Sequence, residues 1–256
     1  MTIRGTVVLT VAVLAALTAA TSVHAQAATP APPDTGWKSS AAAGLTLTRG
    51  NSSTLLATLG ASTGKKWDAN EISLGIDAAY GKSKDQATGV NSTTAGSLHA
   101  FMQYNRLFNE RLYGYLRLEG LHDAVADINY RLTLSPGLGY YFIKQKKTDL
   151  SAEVGPGVVF ERLNGNNQTY VTLRVGEKFH HELSDRARIW EMADIMPQVD
   201  KFSHYLINAE LGIEADLTAD KKLSLRAVLQ DSYNSEPASG KYKNDAKIIT
   251  AIAYKF

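Results

Sequence analysis

The feature that most restricts how this chain can fold is an alternation of apolar and polar residues, with a repeat of two, held in stripes of about ten residues. The clearest stripe sets Ile128, Tyr130, Leu132, Leu134, Leu138, Tyr140 and Phe142 on one face. Asn129, Arg131, Thr133, Ser135, Gly137, Gly139 and Tyr141 occupy the other. Strands in globular domains usually run about five or six residues, whereas about 9 to 11 tilted residues cross a bilayer. After residue 25 no apolar run approaches the length of a membrane helix, so any span is made of strands.

Such segments recur near 37–49, 52–64, 70–82, 92–106, 110–122, 127–142, 148–162, 168–181, 186–199, 204–217, 221–234 and 244–256. Lipid offers no partner to a bare sheet edge, so long hairpin-linked strands can live there only as a closed sheet. The pattern predicts an all-β fold, a transmembrane antiparallel up-and-down β-barrel of about 12 strands. A soluble β-sandwich binding module in the periplasm is the alternative that periodicity alone leaves open. Tight charged turns such as 144–148 and 218–222 alternate with Gly/Asn-rich ones such as 49–52 and 164–167. This places both termini on one side, taken as periplasmic, with short loops outside.

Residues 1–25 read as a secretory signal: Arg4, an apolar run over 7–20, then Val23-His24-Ala25, with cleavage after Ala25. Residues 26–36, with Pro30, Pro32 and Pro33, form an Ala/Pro-rich tether, and 37–256 form the barrel. Cysteine is absent, which excludes disulfides and an N-terminal lipid anchor. The 27 basic and 25 acidic residues are interleaved, so no footprint for nucleic acid is present. Export together with strand length points to the outer membrane of a Gram-negative bacterium, in contact with outer-membrane lipids and lipopolysaccharide.

The last segment carries a stripe of Ile248, Ile252, Tyr254 and Phe256. Its end, Ile252, Tyr254 and Phe256, resembles the signal that barrel assembly machinery reads after periplasmic chaperones deliver a chain. Pro136, Pro156 and Pro197 fall inside strands, where proline lacks the amide that the ladder uses. Folding at 144–148 sets Pro136 nearly opposite Pro156, which predicts a local bulge or kink. It also gathers Gly137, Gly139, Gly155 and Gly157 on the inner wall, with Tyr113, Tyr115 and Tyr141 as candidates to fill the gap.

With polar faces inward, the lumen holds Glu71, Asp77, Glu119, Glu153, Glu161, Glu210 and Glu214 beside Arg111, Arg117, Arg131, Arg174, Lys178 and Arg226. Buried charges must be paired or hydrated, so the interior is expected to be a salt-bridged plug, with a narrow pore as the alternative. A membrane-embedded hydrolase of lipid or lipopolysaccharide rests only on Ser97 with His99, His122 with Asp123, and Ser203 with His204, none in a spacing that fixes a triad. His180 and His181 are adjacent and point to opposite faces, so no metal site is expected. The turn glycines at 50, 165 and 240 do not precede helices, and no cofactor is expected.

At Gly44-Leu-Thr-Leu-Thr-Arg-Gly-Asn-Ser-Ser-Thr54, at Tyr130-Arg-Leu-Thr-Leu-Ser-Pro-Gly-Leu-Gly-Tyr-Tyr141 and at Glu153-Val-Gly-Pro-Gly157, the chain resembles the YdiY-like, salt-induced outer-membrane proteins, which bear a domain of unknown function. The resemblance covers Trp37 to Phe256. It implies an integral outer-membrane protein whose production responds to salt or envelope stress, and it supplies no catalytic residues.

Overall fold

The computed structural model describes residues 36–48, 52–85 and 88–256, so the signal with Ala25 and almost all of the tether lie outside the described residues. Twelve antiparallel strands are described: β1 (Lys38–Thr48), β2 (Ser52–Trp67), β3 (Asn70–Asp85), β4 (Asn91–Leu107), β5 (Leu112–Asp123), β6 (Ile128–Lys144), β7 (Thr148–Leu163), β8 (Asn166–Glu182), β9 (Ala187–Gln198), β10 (Lys201–Asp216), β11 (Leu223–Asn234) and β12 (Asn244–Lys255). Each pairs with its sequence neighbours, and β12 returns to β1 to close the barrel. Tight turns make this possible. Asn164 and Gly165 both take positive φ, 49° and 77°, the backbone that joins twisted strands through two residues.

The side-chain distribution is the reverse of a globular domain. Leu59, Leu132, Leu138, Phe142 and Ile252 are exposed on the outer wall, while Glu153, Glu161, Arg174 and Glu214 are buried inside. A closed sheet with an apolar exterior removes the sandwich alternative.

Where a bulge or kink is expected at Pro136 and Pro156, the ladder has a gap without a shift of register. The β6–β7 register is the same at Leu134–Val158 and Leu138–Val154, with the ladder broken between, where Pro136 faces Pro156. Each proline pairs on its other side, Pro136 with Leu116 and Pro156 with Leu173. Pro197 also leaves a gap in the β8–β9 ladder, opposite Leu173, and on its other side it pairs with Tyr205 where the β9–β10 register shifts, between Lys201 and Tyr205. Facing prolines both lack the donor, so the ladder opens locally and no residue has to be looped out. Register shifts do occur in β6–β7, but at Ile128/Tyr130 and Tyr141/Ile143.

Tyrosines fill the space at two of the four glycines, Gly137 and Gly139, while Gly155 lies against the Pro136 backbone and Gly157 against the Thr172 and Ser135 hydroxyls. A Cβ at Gly139 would overlap the Tyr113 ring, and one at Gly137 would lie 2.6 Å from the Tyr115 hydroxyl. Tyr113, Tyr115 and Tyr141 form one buried cluster with Leu107.

At the end of the barrel away from the termini, the connection over 235–243 is the longest of the chain and turns inward. Ala238, only 4% exposed, packs on Ile128 and Leu163, with Leu121 and Ala126 around them. Lys241 pairs with Asp127 at 3.0 Å and Glu236 with Lys201 at 2.5 Å, tying the loop to two other hairpin tips.

Candidate functional site

Alternation decides which side chains enter the lumen, and register decides which of them meet. Glu153 on β7 is the centre of the first group. It accepts from Arg174 Nη1 and Lys178 Nζ at 2.8 Å each, from Gln103 Nε2 at 2.7 Å and from the Tyr113 hydroxyl at 3.0 Å. Gln103 carries the network to β5, its Oε1 accepting from Lys178 at 2.8 Å and from Arg117 Nη1 at 3.1 Å. Arg117 then holds Glu119, which also meets His99 at 3.2 Å. Towards the terminal end, Gln103 donates to Asn105 and Asn105 to Glu71, which also accepts from the Tyr141 hydroxyl at 2.9 Å. Charge inside a sheet wall is tolerable because nearly every lone pair has such a donor.

A second group lies on β9 to β12. Glu214 is surrounded by Arg188, Arg226 Nε at 2.8 Å, Lys255 Nζ at 3.0 Å and the Ser224 hydroxyl at 2.8 Å. Arg188 and Lys255 also reach Asp216. Deeper in the lumen, Glu210 accepts from Trp190 Nε1 at 2.7 Å and Gln230 Nε2 at 2.9 Å. Near the loop-covered end, Arg131 Nε donates to Glu161 at 2.7 Å, and the Tyr170 hydroxyl does so at 3.2 Å.

The lumen residues expected from sequence are thus brought together in these groups, with two departures. Arg111 is exposed in the turn before β5 and is no part of the interior set, because the strand begins only at Leu112. Asp77 faces the lumen as expected, over Gly60 and across the ladder from His99, but lies in its open part, outside these groups. Sequence reasoning missed Arg188, Trp190, Asp216, Gln103 and Lys255. The phase of the stripe ending at Phe256 already puts Lys255 inside, so that one was within reach.

An asymmetry marks part of the network. The side chains of Glu153, Glu161, Glu214 and Asp216 are at most 1% exposed, whereas those of Lys178, Arg188, Arg226 and Lys255 are 24–29% exposed. Arg174 and Arg117 are buried at 3% and 11%, and Glu119 keeps 16%. Around Glu153 and Glu214, carboxylates sit in the wall with basic groups on their lumen side. Under the inward loop is a cavity of about 80 Å³, whose lining includes Asp123, Arg131, Asn208, Asp245 and Lys247.

The serine–histidine pairs do not assemble. Ser97 contacts Lys247 at 3.4 Å while His99 is held by Glu119. Exposed His122 meets the Asn129 carbonyl, and Ser203 is exposed whereas His204 is buried against Gln198 at 2.6 Å. No cluster of three metal-ligating side chains occurs among the described residues. The outward stripe of Ile252, Tyr254 and Phe256 is exposed, with the Tyr254 and Phe256 rings stacked at 6.4 Å.

Comparison with solved structures agrees with this architecture. The NanC porin superposes with a TM-score of 0.53 at 5% identity, over 86% of this chain and all (100%) of that one. An outer-membrane channel from Pseudomonas putida F1 gives 0.49 at 9% identity, over 89% and 100% of the two chains. The KdgM porin gives 0.44 at 7%, over 86% and 99%. No curated protein matches the sequence. At such identities the likeness to the NanC porin shows the fold alone, that of outer-membrane barrels. The model of the family described as "protein of unknown function, DUF481" matches residues 41–256, nearly the whole barrel, and the chain belongs to that family.

Proposed function

We propose that the protein is a narrow, gated conduit of the outer membrane that favours small anions, with its termini in the periplasm and the 235–243 loop over the external mouth. The observation that carries this reading is the burial of Glu153 and Glu214 behind Lys178, Arg188, Arg226 and Lys255, which remain accessible. A permeating ion meets the accessible groups, and in a confined low-dielectric passage their field is strong. The inward loop and the Glu153 network support a small conductance.

Purified barrel in planar bilayers, with a salt gradient across the membrane, tests this. Small unitary currents with a reversal potential of anionic sign are expected. Silence both in the native barrel and after removal of residues 236–242 would leave only the salt-bridged plug, and a cationic reversal potential would also end the proposal.

The exposed Ile252–Tyr254–Phe256 stripe supports delivery by periplasmic chaperones and insertion by the barrel assembly machinery into lipid and lipopolysaccharide. Removing Phe256 is expected to deplete the folded, heat-modifiable form from outer membranes. A role under salt or envelope stress follows from the resemblance. It predicts a higher amount in outer membranes at raised osmolarity, measured by immunoblot.

A further inference from the structure

The barrel wall is unequal around its circumference. Neighbouring strands elsewhere pair over most of their length, for example Ser52–Trp67 of β2 against Asn70–Asp85 of β3. Among the described residues, β1 and β12 pair in the ladder only over Ser40–Ala43 with Ile252–Lys255, at the terminal end. Gly44 lies against the carbonyl oxygen of Thr250 so closely that a Cβ there would overlap it, and the strands leave the ladder at that point. Beyond it, Leu45–Thr48 and Asn244–Ile249 have no ladder partner across the seam, although both stretches pair normally on their other sides.

Outward side chains flank this stretch on both strands: Leu45 is 65% and Ile248 73% exposed. On the lumen side of the same part of β12, Lys247 reaches Asp123 and Ser97. At the foot of the slit the outer wall carries an apolar groove of about 450 Å³. Ala41, Ala43 and Ala61 form its floor and Leu59, Ile76 and Ile252 are among its sides. The small floor residues leave a trough between larger neighbours, open to the hydrocarbon.

We infer that the β1–β12 seam is a lateral opening between lumen and bilayer, through which a single-chain amphiphile passes with its acyl chain in the Ala41–Ala61 groove and its headgroup towards the polar lumen. Three features select this occupant. Bare backbone donors and acceptors facing hydrocarbon are strongly disfavoured unless a polar group meets them, and a headgroup supplies one. The groove offers the tail an apolar trough that includes Ala43 and Ile252, the last ladder pair before the slit. The external mouth is covered by the 235–243 loop, so the open side is the seam. This goes beyond the conduit reading, because a lateral route needs no through-conductance.

The chain has no cysteine, so engineered thiols report without background. The test uses barrel in phosphatidylcholine vesicles containing a doxyl-labelled phospholipid. A bimane is attached at Ile249→Cys, which faces the lumen beside the slit, at Ile248→Cys on the outer wall, or at Thr133→Cys, which faces the lumen from β6 on the opposite wall. Quenching at position 249 within about twofold of that at 248, with position 133 several-fold lower, is the expected result. Equal, low quenching at 249 and 133 would overturn the proposal. Lys247→Cys serves as the second lumen reporter if Ile249→Cys fails to give a heat-modifiable band.

A disulfide assay reads the seam independently. Positions 47 and 248 would face each other had the register run on, as 43 and 252 do in the paired part. Under mild oxidation Ala43→Cys/Ile252→Cys should cross-link at least tenfold faster than Leu47→Cys/Ile248→Cys, since a disulfide needs Cα atoms within about 7 Å. Equal rates would mean a zipped seam, and a chain that cross-links between two copies at position 248 would mean the slit is a dimer interface; either result refutes the lateral route. Currents in planar bilayers are unaffected by these outcomes, so failure here and failure of the conduit reading are distinguishable.

Discussion

At the scale of single residues, Glu153 shows how a carboxylate survives inside a membrane wall. Two cations, an amide and a phenol converge on it, and each was placed by strand phase and register. Glu153→Gln keeps the shape and removes the charge, leaving Arg174 and Lys178 without their common counter-ion. A loss of about 3–5 kcal/mol in barrel stability is expected, the usual size for an orphaned buried pair. Urea titration of the folded electrophoretic band measures it, and an unchanged midpoint would refute the structural role given to this residue. The acids of the lumen were legible in the sequence because alternation sorts faces without any knowledge of contacts. Arg111 shows the limit of that sorting, since it keeps the phase of Tyr113 and Tyr115 but precedes the first paired residue of β5.

At the scale of elements, the loop over 235–243 departs most from what its composition suggests. Ser235, Pro237, Ser239 and Gly240 read as a solvated turn, and nothing local reveals that Ala238 will find Ile128 and Leu163. Ile128 begins β6 and Leu163 ends β7, and both reach the loop only through closure of the sheet. Ala238→Asp is expected to unseat the loop, since an unpaired carboxylate cannot occupy an apolar socket, and to raise unitary conductance severalfold with little change in stability. A current equal to that of the parent would show that the loop does not limit flow.

The same element carries a pH dependence. The Lys201 ammonium holds the Glu236 carboxyl below its ordinary range, with His204 and Lys243 adding to the effect. A carboxylate shifted downward contributes its full attraction above the ordinary value of about 4.3 and loses it as pH falls through the lowered one. Acidification below about pH 4 should therefore loosen the loop and increase current. Glu236→Gln should show the larger current already at neutral pH and lose this part of the acid response.

At the scale of the whole molecule, strand number, closure and the inside-out distribution of polarity were all legible, because a repeat of two over ten residues admits few other solutions. The proline gaps and the unequal β1–β12 seam were not, since both depend on which residues face each other across strands. Orientation can be read directly. A cysteine replacing Tyr242, 88% exposed in the loop, should react with an impermeant maleimide on intact cells. One replacing Lys146, in the β6–β7 turn, should react only after the outer membrane is breached. The reverse pattern would invert the barrel and the gate with it.

The seating of Ala238 also has a meaning in time. Its socket is built from β6 and β7, and the loop that fills it hangs between β11 and β12, the last hairpin of the chain. The two meet only when the growing sheet has curled round to its final circumference. Until then position 238 stays open to solvent, and its burial marks the moment at which a nascent barrel becomes a finished one.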